Sequence, residues 1–378
     1  MLGRCWCSTG GSPPLRDGDP RLLFVPVSGA FGMGEFARSA AIARAVQQRW
    51  PAARIHFVLS RQAPYAAGAP FPVTLVPSSA TFHSAVVVDL IRSWRPHVVV
   101  FDNAGRTAQL RAAQRCGARV VYISARDRQR RKAFRFRWMR LIDEHWIAYP
   151  EFAAGSLTWN ERLKRRLLGR PTVRYLDVIF ARGPPGDGEP AASPQRGEFV
   201  LVVPGGGTGH PGARDASAQF LQAARILAAG GIAVRYVGPA DAADGAADGA
   251  ADGAADGAAD PLFLALGVLP QAELAKLMRN ARLTVANGGS TLLQAIACGA
   301  ACVAVPIAGD QRERIRRCVA AGVAVHAPLD APAIAARAQA LLRDEPARAA
   351  LALRAHGLAL ADGVEVALSV LGRYIECR

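Results

Sequence analysis

Residues 283–311 read LTVANGGSTLLQAIACGAACVAVPIAGDQ. Leu283, Thr284, Val285 and Ala286 form one short apolar run, and Cys302, Val303, Ala304 and Val305 form another. Between them lie a turn of small residues from Asn287 to Thr291 and a helix-length segment closing at Cys298 and Gly299. Two continuous apolar runs separated by that much chain predict parallel strands buried on both faces, because a hairpin needs only a few connecting residues.

The same alternation extends in both directions from this block. Strand-type runs at 199–203 (FVLVV), 232–237 (IAVRYV) and 262–266 (LFLAL) precede it, with helical stretches at 213–229 and 271–280. Further upstream the runs 22–27 (LLFVPV), 55–59 (IHFVL), 73–76 (VTLV), 98–101 (VVVF) and 119–123 (RVVYI) repeat the pattern. Between the two series, 182–197 reads RGPPGDGEPAASPQRG, aperiodic and rich in Pro and Gly, the composition of an interdomain linker. The expected organisation is a disordered extension at 1–20, an α/β half at 21–181, a linker at 182–197 and a second α/β half at 198–378. The last helix is expected to pack back on the first half. The stretch 242–257, AADG four times over, has no large apolar residue to bury and reads as a flexible loop expansion within 240–260. Its aspartates recur every fourth residue without the other oxygen ligands of a calcium loop.

A chain of 378 residues, 51% hydrophobic and 7% aromatic, has enough apolar material for two cores of an α/β protein. No apolar run approaches the ~20 residues that span a bilayer, and the opening residues carry no signal-type apolar region. A cytoplasmic location is therefore expected. The seven cysteines are scattered and odd in number, which favours reduced thiols over a disulfide framework or a zinc site. The formal charge of +16 implies an anionic partner, and charge alone does not choose among nucleic acid, acidic lipid and a phosphorylated substrate.

Two glycine loops open the two halves. After the first strand come Gly29, Gly32 and Gly34, whose spacing is not the dinucleotide fingerprint, and Ser60 and Arg61 stand where that fingerprint needs an acid. Gly32 and Gly34 still expose a helix N-terminus, which suits a phosphate. After 199–203 come Gly205, Gly206, Gly207, Thr208, Gly209 and His210, without the Gly-Lys-Ser/Thr ending of a P-loop. His210 there is either a phosphate ligand or a solvent-facing loop residue. Asp102 and Asn103 follow 98–101, where open sheets put their ligand crevice; acceptor contact and helix capping are both open for them.

The run from Asn287 to Gln311 strongly resembles the donor-binding region of GT-B glycosyltransferases, particularly the peptidoglycan N-acetylglucosaminyltransferase and relatives that use UDP-sugars. The resemblance covers nearly the whole chain from Arg21 onward and is weaker in the N-terminal half. It implies two Rossmann-like domains facing each other across a cleft. It also implies that Gly288, Gly289, Ser290 and Thr291 meet the donor diphosphate, that Asp310 and Gln311 contact the sugar, and that Val268 and Leu269 lie at the uracil ring. Gln294 stands where the family usually has a ribose-binding Glu, and Glu35 stands where its first glycine loop usually ends in Gly-His. A Gln still bonds ribose hydroxyls but carries no charge. Glu35 is a candidate general base toward an acceptor hydroxyl; a helix-end carboxylate answering the macrodipole is the other reading. With Asp102 these are the catalytic candidates. The implied activity is an inverting, metal-independent transfer from a UDP-sugar co-substrate, with no cofactor, to an acceptor such as a lipid-linked molecule. A UDP-sugar hydrolase or 2-epimerase of the same fold and an inactive nucleotide-sugar-binding protein are the rivals.

Residues 128–140, RQRRKAFRFRWMR, hold seven basic residues and no acid. Arg130, Arg131, Lys132 and Arg135 with Phe134, Phe136 and Trp138 are expected to contact an anionic membrane surface. A solvated basic helix and, less favoured, a nucleic-acid face use the same residue types.

Overall fold

The computed structural model describes residues 18–30, 32–180, 197–205, 216–238 and 261–376. The expected N-terminal extension (save its last residues), nearly all of the expected linker and the AADG repeat lie outside the described residues.

The chain folds into two α/β halves, each built on a wholly parallel sheet. The first sheet holds β1 (Arg21–Pro26), β2 (Arg54–Ser60), β3 (Val73–Val76), β4 (Val98–Asp102), β5 (Arg119–Ser124), β6 (Glu144–Ile147) and β7 (Thr172–Tyr175), in the order 3-2-1-4-5-6-7. The second holds β8 (Phe199–Val203), β9 (Ala233–Tyr236), β10 (Phe263–Ala265), β11 (Leu283–Asn287), β12 (Cys302–Val305) and β13 (Val325–His326), in the order 10-9-8-11-12-13. β4, β8, β11 and β12 are buried at every residue. Helices cover both faces of a parallel sheet, so such strands carry continuous apolar sequence instead of alternation. β6, β7 and β13 escape a search for apolar runs. β6 begins Glu144-His145, β7 is four residues containing Arg174, and β13 has two residues.

Helix Gly34–Arg49 buries Phe36, Ala40, Ala43 and Val46 against Leu22, Phe24 and Phe57. Full burial of a side chain such as Val46 or Phe36 contributes roughly 1.5–3 kcal/mol, and each alanine methyl less. The final helix, Gly363–Glu376, belongs to the same core through Val364, Ala367, Val370 and Leu371. At its C-terminal end Trp50 Nε1 donates to Glu376 Oε1 at 3.0 Å. The chain therefore crosses between halves twice, and the crossings touch: Gly363 N donates to Val178 O at 2.7 Å and Ala361 N to Asp177 Oδ2 at 2.9 Å.

Candidate functional site

In each sheet the strand order reverses direction once, between β1 and β4 in the first and between β8 and β11 in the second. Connections there leave in opposite directions and open a crevice at the carboxyl ends of the strands. The loops after β1, β8 and β11, joined by those after β5 and β6, line one cavity of about 510 Å³ between the halves. Gly32, Gly34 and Glu35 come from the first half, and Gly205, Asn287, Gly289, Ser290 and Thr291 from the second.

The second half supplies the end of helix Ser290–Ala297. β11 pairs with β8 in parallel, which brings the turn at Asn287 beside Gly205. Asn287 donates through Nδ2 to Pro204 O and accepts through Oδ1 from Gly289 N at 2.7 Å. Gln311 accepts through Oε1 from Gly288 N at 3.1 Å and from Ile307 N at 3.0 Å. The amides of Gly288 and Gly289 are thus already bonded within the turn, and Gly289, but not Gly288, lines the cavity. Gly288 instead allows close packing, because a methyl there would come within 2.6 Å of Ile315 and 2.9 Å of Gln311. The first amides of the helix proper, those of Ser290 and Thr291, have no carbonyl one turn back and carry the positive end of the helix dipole.

Gln294 lines the cavity while its Nε2 donates to Ile179 O at 2.9 Å, so its amide donor ties the helix to the crossover and its carbonyl remains for a ligand. Asp310, 41% exposed, pairs with Arg314 at 3.3 Å. Arg314 Nη1 donates to Gly288 O at 2.6 Å, and its guanidinium lies 4.1 Å over the ring of Tyr149 from the first half. Val268, 73% exposed, and Leu269 form an apolar stretch of the rim. Gly206, Gly207, Thr208 and His210 lie outside the described residues.

On the facing wall, Glu35 is 13% exposed. Its Oε1 accepts from Asn103 Nδ2 at 2.9 Å and from Arg126 Nη2 at 3.3 Å. Asn103 adopts φ 52°, an uncommon conformation that Asn tolerates better than most residues, and its Oδ1 accepts from Ala125 N at 2.8 Å. Asn103 therefore holds Glu35, a different role from acceptor contact or capping. Asp102 is a correction: its carboxylate is fully buried, takes Nε and Nη2 of Arg38 at 2.9 and 2.6 Å, and does not line the cavity. Burial pushes Asp102 up to about 6, with Arg38 pulling it back down. It is the counter-ion of an arginine beneath the cleft. Tyr149, Arg126, Arg314 and Arg38 were not found from sequence. Tyr149 follows the unrecognised β6, and the arginines were lost in a chain rich in them.

The basic segment also needs correction. Arg130 is buried and bound to Glu161 at 2.8 and 3.1 Å, and Phe134 and Trp138 are 2% and 1% exposed within the protein's own core. Lys132 is half-buried, donating to Gly105 O at 2.9 Å. Its ammonium also lies 4.0 Å over the Trp138 ring, and burial among arginines lowers it to about 8. Arg131, Arg135 and Phe136 are exposed. Phe134 and Trp138 fill contacts within the core, and of the three aromatics in this segment Phe136 alone faces outward.

No family model and no curated protein matches the chain. Solved structures do. MurG of Acinetobacter baumannii aligns over 94% of this chain and 99% of its own, with a TM-score of 0.59 and 14% identity. The spinosyn rhamnosyltransferase SpnG, in a complex with thymidine diphosphate, aligns over 93% and 99% with a TM-score of 0.60 and 15% identity. The fold is GT-B. SnogD, a glycosyltransferase from Streptomyces nogalater, aligns over 94% and 99% with a TM-score of 0.59 and 19% identity. Coverage this complete means that both halves of this GT-B chain, and the cleft between them, find counterparts in each of these proteins.

Proposed function

We propose that this GT-B chain is a glycosyltransferase that moves a sugar from a UDP-sugar to an acceptor hydroxyl, with inversion and without a metal or other cofactor. The observation that carries the reading is the opposition, across one cavity, of a helix N-terminus from one half and the Glu35 carboxylate from the other. A cavity of about 510 Å³ falls within the range of small-ligand sites. The donor diphosphate lies at the amides of Ser290 and Thr291, where the helix dipole favours the negative charge that builds on the leaving group. The acceptor oxygen attacks the anomeric carbon from the opposite side, its proton passes to Glu35, and the bond to the diphosphate oxygen breaks. Asn103 and Arg126 keep Glu35 oriented for that transfer. Asp310 faces the sugar, the Gln294 carbonyl a ribose hydroxyl, and Val268 and Leu269 the base. The odd, scattered cysteines favour a reducing cytoplasm. A lipid-linked acceptor would bring the enzyme to the inner face of the cell membrane.

Titration calorimetry with UDP tests the donor site. Thr291→Val should weaken binding by about 1–2 kcal/mol through loss of one charge-assisted hydrogen bond. An absence of UDP binding would defeat the reading, and unchanged affinity in this variant, which keeps the Thr291 amide, would remove the Thr291 hydroxyl from it. Incubation with UDP-sugars tests the reaction: free sugar or an epimer formed without acceptor would assign a hydrolase or epimerase. Binding without turnover across acceptor extracts would assign a binding protein.

A further inference from the structure

Helix Trp159–Leu168 is built inside out. Its one buried residue is Glu161, while Trp159, Leu163 and Leu167 are 72%, 38% and 68% exposed. At about 100° per residue these three fall in one arc of about 80°. Arg162 and Arg166 border that arc on one side and Lys164 on the other. The helix is nevertheless firmly held. Thr158 and Glu161 form a reciprocal capping box, and Arg130 grips the Glu161 carboxylate while donating to the carbonyls of Ala154, Gly155 and Ser156 at 3.1, 2.7 and 2.8 Å. An amphipathic helix ordinarily turns its apolar stripe to the core. This one is fastened by a polar residue and turns the stripe to solvent.

The neighbouring surface continues the pattern. Phe136 is 47% exposed, with the Lys164 ammonium 5.6 Å over its ring. Arg162 and Arg166 beside the stripe and Arg131, Arg135 and Arg137 in the segment that carries Phe136 are exposed, and the stretches 128–140 and 162–170 contain no acid.

We propose that the Trp159–Leu163–Leu167 stripe, together with Phe136, is the surface by which this protein lies on an anionic membrane. Leucines and a tryptophan enter the headgroup boundary while the bordering cations meet lipid phosphates, and among the described residues no helix is long and apolar enough to span. The charge argues against a second copy of the chain, since a two-fold contact would set this cationic face against itself. Leu163 and Leu167 at the centre and end of the stripe do not stack bases, which favours lipid over single-stranded RNA, and RNA competition is one outcome of the test. The inference does not depend on the donor site.

Flotation with vesicles of phosphatidylglycerol and phosphatidylcholine, against phosphatidylcholine alone, tests it. The protein should partition to the anionic vesicles and release them as salt rises, because exposed charges are screened over ~8 Å at physiological ionic strength. The double substitution Trp159→Ser, Leu167→Ser should cut that partition about tenfold or more, given the apolar area it removes. UDP affinity and melting temperature should stay near wild type, since both side chains are exposed and distant in sequence from the donor turn. Arg162→Gln with Arg166→Gln should lower partition and flatten its salt dependence. Equal binding to both vesicle types, or full binding by the Trp159/Leu167 variant, would overturn the proposal. So would a wild-type dimer that the variant dissolves, or displacement from vesicles by RNA.

Discussion

The side-chain amide of Asn287, the last residue of β11, donates to the carbonyl of Pro204, the residue that follows β8. One side chain thus ties together the two turns at the reversal point of the second sheet. Gly205 makes this possible. It sits at φ 82°, and a methyl there would fall onto the Asn287 amide. Gly205→Ala should lower stability by about 2–4 kcal/mol, combining backbone strain with a displaced buried hydrogen bond. UDP affinity should fall with it, because the displaced Asn287 also orients Gly289 N. Thermal unfolding and calorimetry on the one variant check both, and a stable variant with unchanged affinity would detach Gly205 from the site.

Glu35→Gln keeps a hydrogen-bond acceptor beside Asn103 but removes the group that takes the acceptor proton. Transfer should fall by about 10²–10⁴ in kcat, the usual contribution of a general base. UDP affinity should change less than twofold, since the diphosphate end of the cleft belongs to the other half. An unchanged kcat would leave Glu35 as a helix-end carboxylate and nothing more.

The two parallel sheets were legible because each central strand is an unbroken apolar run, and the block from Asn287 to Gln311 was legible because its turn, helix and following polar loop are contiguous in the chain. What escaped depends on contacts between distant segments. Whether Asp102 faces a ligand or an arginine depends on Arg38, 64 residues away and one turn into the first helix. The amides of Gly288 and Gly289 look available until the side chains of Gln311 and Asn287 are placed on them. Residues 128–140 pattern like a membrane face because aromatic and basic residues alternate, yet alternation cannot reveal that Trp138 is 1% exposed and donates to Thr107 Oγ1. The outward stripe of the Trp159–Leu168 helix was hidden for the converse reason. Its periodicity is that of an ordinary amphipathic helix, and only the burial of Glu161 reverses its direction.

The Arg38–Asp102 pair sets the last expectation, which concerns stability and its pH dependence. Both side chains are buried, at 6% and 0% exposure. Arg38→Met would leave a carboxylate in the core with only Ser39 Oγ, at 3.3 Å, as a remaining partner. Breaking a buried pair from one side costs about 3–5 kcal/mol, most of it from the stranded charge. Burial already holds Asp102 above its ordinary range, at about 6, against the opposing pull of Arg38, so removing the cation moves it higher still. A carboxyl raised in the folded state contributes its full stability when protonated, below about 4, and loses it as pH rises through the folded value. The gap in melting temperature between Arg38→Met and wild type should therefore be smallest at acid pH, open as pH rises through about 6, and keep widening until the variant's own higher value is passed. Adding Asp102→Leu to Arg38→Met should remove most of that pH dependence and recover part of the stability, because no charge is then left to bury. A gap that stays constant from neutral to acid pH would mean that the loss comes from packing of the arginine stem and not from the carboxylate it covers.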